Sequence, residues 1–492
     1  MARAPSSRPL PSAATPPPGM GSGRGPGAGR KAPTGATHTL GWLPNFGLPR
    51  YPRNVYLLLI FTLGKGFQLS IAQVVINLYA YSVGYKQDFI GLLTAAPALG
   101  ALLAAVPMGL LADRVFRTRR KPLLLITGVL NPLALAAIGL TTSAPIMLVA
   151  SLANGILSSA YWVTNIPILT ESVPAHERVR VMSLNSFLLL GIGAMGGLIG
   201  GAVPELVGAI LHQPAASAIP LRWGVVVAAL AVLLPTAPLA FMQEGQPIHD
   251  EQSLVAGPTP LPDAIPAERG ALMAAASAPA SGASSVGANP APVKRGMNVL
   301  GGRLALPVLF AALLLPDLLF TTGEGAVAGL LQLYFHLRFL LQPGTLGVLA
   351  AVAGLLCGVM ALLAPPIARR LGKLRAIVAV EVLSAPVMLL IGFAPTLALS
   401  VAGEFARNIL RGVFEPIYAT FAMERVSSRY RATLSGFYSL TWSIGYSIGP
   451  ATAGWLQLHV SLSASFALGA ACLLLAASIL YLFFRHTPGV NS

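Results

Sequence analysis

Eight ionisable side chains, Lys65, Asp317, Glu324, Glu381, Glu404, Arg407, Arg411 and Glu415, stand inside stretches that are otherwise apolar. Their spacing is not random. Glu404, Asn408, Arg411 and Glu415 follow the i, i+4, i+7, i+11 rule of one helical face, with Arg407 beside it. Asn154, Ser158, Tyr161 and Asn165 make a similar stripe, Lys65, Gln68 and Tyr79 share a face, and Asp317 and Glu324 are seven apart. A charge near the centre of a membrane span costs about 2.5–3.5 kcal/mol on insertion scales, so each of these groups needs a partner or a wet cavity. The chemistry on offer is proton exchange at carboxyl groups and pairing with a zwitterionic or amphiphilic solute. The plain alternative is structural: a static ion-pair network around Glu404, Arg407 and Arg411, and interhelical hydrogen bonds along the Asn154–Asn165 stripe. Glu381 reads as structural. The chain has no H-E-x-x-H or P-loop motif. A membrane-embedded enzyme or receptor is therefore a minor alternative, and no cofactor or metal is expected.

The elements that position these residues are legible from hydropathy. The chain is 55% hydrophobic and only 10% charged, with a mean hydropathy of +0.72. Twelve apolar runs are long enough to cross a bilayer as helices. They lie near 55–82, 88–112, 122–141, 145–170, 181–211, 222–242, 304–336, 343–368, 376–394, 396–423, 432–458 and 462–484. Residues 1–50 and 243–302 are rich in Pro, Gly, Ser and Ala, lack periodicity and read as disordered. The expected order is an N-terminal segment (1–50), a six-span half (51–242), a linker (243–302), a second six-span half (303–486) and a short tail (487–492).

The net charge of +16 suggests nucleic acid at first sight, but its distribution argues against it. With residue 50 in the cytoplasm and each run crossing once, 26 Lys and Arg fall on the cytoplasmic side. Lys86, Arg222 and Arg338 are those on the other. This is the positive-inside bias of a membrane protein with both ends in the cytoplasm. The two cysteines, Cys357 and Cys472, lie in apolar spans and suggest neither a disulfide nor a metal site.

The linker divides the runs into six and six, and the halves echo each other. "ESVPAHERVRVMSLNSFLLLGIGAMGGLIGG" (171–201) aligns without gaps against "ERVSSRYRATLSGFYSLTWSIGYSIGPATAG" (424–454). "GKGF" (64–67) parallels "GEGA" (323–326), which puts Lys65 and Glu324 in analogous places. A six-plus-six repeat is a transporter arrangement with the substrate bound midway between the halves.

Between the second and third runs stands "GLLADRVFRTRRK" (109–121). Its Gly109, Asp113, Arg114, Arg117, Arg119 and Arg120 resemble the G-x-L-x-D-R-x-G-R-R signature of the major facilitator superfamily, with Phe116 where the family usually has Gly. The resemblance covers roughly 51–486. "GYSIGPATAG" (445–454) also resembles the family's antiporter signature, although that signature belongs in the fifth span, where Gly197 stands in place of Pro. Ser151 stands where the fourth span usually carries Arg.

The resemblance implies an all-α membrane protein of twelve transmembrane helices in two pseudo-symmetric six-helix halves. It implies that spans 1, 4, 7 and 10 line a central cavity. Lys65, Gln68, Asn154, Tyr161, Asn165, Arg407 and Arg411 are then the substrate-cavity candidates, and Glu324 and Glu404 the coupling candidates. Lys65 and Glu324 are expected to pair across the cavity. In this family the signature Asp meets the start of span 11 when the cytoplasmic side is closed, which assigns Gly109, Asp113, Arg114 and Arg117 to a cytoplasmic gate. The expected function is secondary active transport of a small organic solute by alternating access, as proton-coupled efflux across the cell membrane. The runner-up is proton-coupled uptake of a polar nutrient such as a sugar or carboxylate. The expected partners are a small-molecule substrate, protons and the lipid bilayer, with no nucleic acid.

Overall fold

The computed structural model describes residues 51–110, 120–174, 177–242, 297–299, 302–304, 306–426 and 430–485. The N-terminal segment, nearly all of the linker and the C-terminal tail lie outside the described residues. Twelve spanning helices follow in order. They are α1 (Arg53–Ser82), α2 (Gln87–Leu110), α3 (Arg120–Leu140) and α4 (Ala144–Glu171). Next comes α5 in two parts, α5a (Arg178–Ser186) and α5b (Gly196–Leu211), joined by a π-helical stretch over Phe187–Ile192. Then come α6 (Ala218–Leu239) and α7, again in two parts, α7a (Leu306–Ala328) and α7b (Leu331–Phe339). The last five are α8 (Pro343–Leu371), α9 (Lys373–Phe393), α10 (Leu397–Arg425), α11 (Arg431–His459) and α12 (Ala464–Phe484). A two-stranded antiparallel pair, β1 (Met297–Val299) and β2 (Gly302–Leu304), sits just before α7a with Met297 opposite Leu304.

In lipid every backbone polar group must be satisfied within the segment, which is why apolar runs of this length fold as helices. Ten spans are long and apolar enough to cross a membrane. The other two, α10 and α11, are helical over 29 residues each and carry more polar faces. Outward-facing Leu103, Val149, Ile210, Leu234 and Leu362 are more than half exposed, a surface suited to lipid. The chain is an integral membrane protein.

Helix-internal prolines show how the freed backbone groups are satisfied. Pro97 in α2 has no N–H for the Leu93 carbonyl one turn earlier, and the Ser151 hydroxyl of α4 donates to that carbonyl at 2.9 Å. Pro132 in α3 likewise frees the Gly128 carbonyl, and the Thr236 hydroxyl of α6 donates to it at 3.1 Å. Each proline is thus also a tie between neighbouring helices.

The packing has a two-fold pattern. In the first half α1 packs on α5 and α6, α2 on α4, and α3 on α4 and α6. In the second half α7 packs on α11 and α12, α8 on α10, and α9 on α10 and α12. Advancing each label by six converts one set into the other. Between the halves α2 meets α11 and α5 meets α8, two contacts that the same operation exchanges.

The start of α1, the ends of α6 and α12, and the start of α7a share one face, the linker face. The described contacts between halves cluster toward the opposite, far face. There Gly91 of α2 meets Gly454 of α11, and Gly347 of α8 meets Gly201 of α5b. In each pair a Cβ on the first glycine would stand 3.0 Å from the second glycine's Cα. Only small residues allow helix backbones this close.

Candidate functional site

The polar residues of the first half form two adjoining networks. The Lys65 ammonium donates to Gln68 Oε1 at 2.6 Å, Asn131 Oδ1 at 2.9 Å and Ser158 Oγ at 3.1 Å. These acceptors come from α1, α3 and α4, so three donors meet three neutral acceptors. Asn131 and Asn154 exchange amide–carbonyl hydrogen bonds at 2.9 and 3.3 Å. One turn toward the linker face, the Tyr161 hydroxyl donates to Thr62 Oγ1 at 3.1 Å. Asn165 Nδ2 donates to the Tyr161 hydroxyl oxygen at 3.2 Å and to Asn185 Oδ1 at 3.1 Å. A cavity of about 10 Å³ adjoins Lys65, lined by Phe61, Asn131, Ser158 and Tyr161 among others, which is room for about one water.

The second half holds its charges differently. Arg407 of α10 donates through Nη1 to Glu324 Oε2 of α7a at 2.5 Å. It also clasps Glu404 through two bonds, Nε to Oε2 at 2.8 Å and Nη2 to Oε1 at 2.9 Å. Asn408 Nδ2 donates to Glu404 Oε1 at 2.6 Å. All three charged groups are buried. Two carboxylates around one guanidinium leave this network one negative charge in excess when both are ionised. Lys65, with neutral partners, leaves the first network one positive charge in excess.

Arg411 stands one turn further along α10 and binds Glu415 at 2.9 Å. Its side chain is 28% exposed and that of Glu415 42%, which sets this pair apart from the sealed Arg407 network. Arg411 is also within electrostatic reach of Tyr446 on α11, Glu324 on α7a and Cys357 on α8.

The candidates thus fall into separate groups. Lys65, Gln68 and Asn154 share one network, Tyr161 and Asn165 the next, and Arg407 joins Glu324 and Glu404. Arg411 hydrogen-bonds Glu415, within electrostatic reach of Glu324 and Arg407. The expected pairing of Lys65 with Glu324 does not form: each is bound within its own half. The reason is local supply, since Asn131 and Ser158 satisfy the ammonium and Arg407 reaches Glu324 directly. Lys65, Gln68, Tyr161 and Asn165 are sealed between helices of the first half, while Asn154 retains some exposure. Gly109 lies in the last turn of α2. Asp113, Arg114 and Arg117 lie outside the described residues.

Several participants escape notice in the sequence. Asn131 is one amide in the apolar run of α3, and the Pro132 that follows it suggests a kink rather than a ligand. Thr62 and Asn185 carry no spacing signal at all. Toward the far face Asn77 Nδ2 donates to the Gly329 carbonyl at 2.7 Å, at the break between α7a and α7b, and the Thr94 hydroxyl steadies Asn77 Oδ1 at 2.9 Å. Glu205 Oε1 of α5b accepts the Gly344 N–H in the first turn of α8 at 3.0 Å. These two bonds cross between the halves.

Comparison with known proteins places this architecture. No curated protein matches the chain. Among solved structures, a bacterial homologue of the human lysosomal transporter Spinster, in an inward-facing and occupied conformation, superposes with a TM-score of 0.64. Identity is 15%, with 88% of this chain and 96% of that chain covered. A D-xylose-proton symporter superposes with a TM-score of 0.62 at 13% identity, covering 89% of this chain and 99% of its own. The nucleoside transporter NupG gives 0.61 at 13% identity, covering 87% and 99%. The model of the Major Facilitator Superfamily matches residues 58–315 and 317–492. With its two six-helix halves and charged inner helices, the chain belongs to the Major Facilitator Superfamily and has the fold of a secondary transporter of small solutes.

Proposed function

We propose that this transporter is a proton-coupled exporter of a small organic solute, working by alternating access between its two halves. The observation that carries the coupling is the Glu324–Arg407–Glu404 network on α7 and α10. With both acids ionised it has one negative charge in excess in a buried setting, and one proton removes that excess. Protonating Glu324 would release Arg407 to Glu404 alone and loosen the tie between α7 and α10. A step of that kind biases a rocking equilibrium by favouring one arrangement of the helices.

Arg411 and Asn154, the less buried candidates, would meet the solute first. Lys65, Gln68, Tyr161, Asn165 and Arg407 would complete the cavity as the halves move. Glycine-lined closure toward the far face, with similarity to an inward-facing Spinster homologue, supports a state open toward the linker face. The positive-inside bias supports a cytoplasmic linker face. Gly109, Asp113, Arg114 and Arg117 would close it, with the Asp113 carboxylate at the N-terminus of α11. The cell membrane is the proposed location.

A second reading is proton-coupled uptake of a polar nutrient. The similarity to a D-xylose-proton symporter and a nucleoside transporter favours it. Proteoliposome flux under imposed pH gradients separates the two. An exporter moves solute against the direction of proton flow, and an importer moves it with the protons. Flux indifferent to the gradient would contradict both.

A further inference from the structure

Glu381 lies midway along α9 with none of its surface exposed, and neither carboxyl oxygen has a hydrogen-bond partner. The charge that acts on it is that of Asp317 on α7a, which has the same sign. Asp317 is itself buried and accepts a hydrogen bond from the Thr441 hydroxyl of α11. Tyr418 of α10, whose hydroxyl donates to the Leu313 carbonyl at 2.6 Å, feels both acids. Tyr438 of α11 and Glu415 of α10 are within electrostatic reach of Asp317. None of these neighbours is basic, and α12, which packs along α9, contains no Asp, Glu, Lys, Arg or His; α8 also meets α9, with its Arg369 and Arg370 in its last turn, at the Lys373 end of α9. The basic side chains of α10 are engaged elsewhere, Arg407 with Glu324 and Glu404, Arg411 with Glu415, and Arg425, in the last turn, over the Phe421 ring.

An ionised carboxylate without donor or counter-ion is strongly disfavoured in such a place. We infer that Glu381 and Asp317 form a proton-binding site distinct from the Glu324–Arg407–Glu404 network, with Glu381 carrying the proton in this state. The event is a single protonation. One carboxylate oxygen of Glu381 gains a proton from water and forms an O–H bond, and the reverse returns the proton to water. A proton suits the place better than a metal cation, because it needs neither a cavity nor several oxygen ligands. Glu381, in span 9 and outside the cavity-lining spans, reads as structural in the sequence; its unpaired burial within electrostatic reach of a second acid changes that assignment.

Use of this proton in coupling rests on the transport reading above, but the site itself does not. The test uses the full chain, purified in detergent, and infrared spectroscopy at mildly alkaline pH. The expected result is a carboxylic-acid band that shifts in heavy water, is lost in Glu381→Gln and persists in Asp317→Asn. The melting temperature of the unaltered protein should fall as pH rises from about 6 to about 9, because the native state then binds a proton the unfolded chain has released. Glu381→Gln should flatten that fall. A spectrum of the unaltered protein without such a band overturns the assignment even if the variant fails to fold. A band that survives Glu381→Gln overturns it too. Failure here leaves gradient-driven flux to be judged separately.

Discussion

Arg407 holds Glu324 at 2.5 Å and Glu404 through two further bonds, so one guanidinium on α10 binds an acid on α7 and another on its own helix. Lys65, at the analogous place in the first half, takes no part. Each of these charged groups therefore finds its partners within its own half, and no ion pair at the centre ties Lys65 to Glu324.

That arrangement predicts an order of stabilities. Arg407→Gln strands two buried acids and should cost about 3–5 kcal/mol, as breaking buried pairs does. Glu324→Gln leaves Arg407 bidentate on Glu404 and should cost about 1–3 kcal/mol. Denaturation in detergent reads both. Equal losses, or the reverse order, would contradict the network as drawn.

Lys65 and Asn131 should behave as one unit. Asn131→Leu removes the Oδ1 that accepts from both Lys65 and Gln68, and should cost about 1–3 kcal/mol. Adding Lys65→Gln removes the charge that Asn131 supports, so the double variant should lose at least about 0.5 kcal/mol less than the sum of the singles. Strict additivity would show that the two side chains are not coupled.

The halves are latched at the far face by Glu205 on the first turn of α8. A carboxylate at a helix N-terminus contributes about 0.3–1 kcal/mol. Glu205→Gln should therefore move the balance of states about two- to five-fold toward far-side opening. Asp113→Asn, at the proposed linker-face gate, should move it by a similar factor the other way. Cysteine probes on each face read the shift, and the same direction for both variants would refute the paired gates.

Gly347 is a stricter test of far-face closure. A Cβ there would stand 3.0 Å from the Cα of Gly201, with backbone on both sides and nothing flexible to yield. Gly347→Ala should raise far-face cysteine labelling more than Glu205→Gln does, while helix content by circular dichroism stays unchanged. Labelling at the unaltered level would mean that this glycine contact does not set the closed state.

The sequence makes the spans readable because each must be apolar over a membrane's width. It makes the repeat readable because both halves keep the Glu171- and Glu424-led segments in register. It also sets Glu404, Asn408, Arg411 and Glu415 on one helical face with Arg407 beside it, because their spacing follows that face. What it hides are partners brought from other helices. Nothing local predicts that Asn131 would satisfy Lys65, that Thr236 would cap the carbonyl freed by Pro132, or that Asn77 would hold the Gly329 carbonyl at the break in α7. Charge matching alone favoured Lys65 with Glu324, but three-dimensional supply of nearer partners decided otherwise.

Coupling through Glu324 is tested most directly by counterflow and gradient-driven flux of one stabilising compound, measured side by side in proteoliposomes. In the unaltered protein an imposed pH gradient should drive net flux. In Glu324→Gln net flux should lose its dependence on the gradient while solute-for-solute exchange continues. Gradient-driven flux that is unchanged in Glu324→Gln would contradict coupling through this carboxyl group.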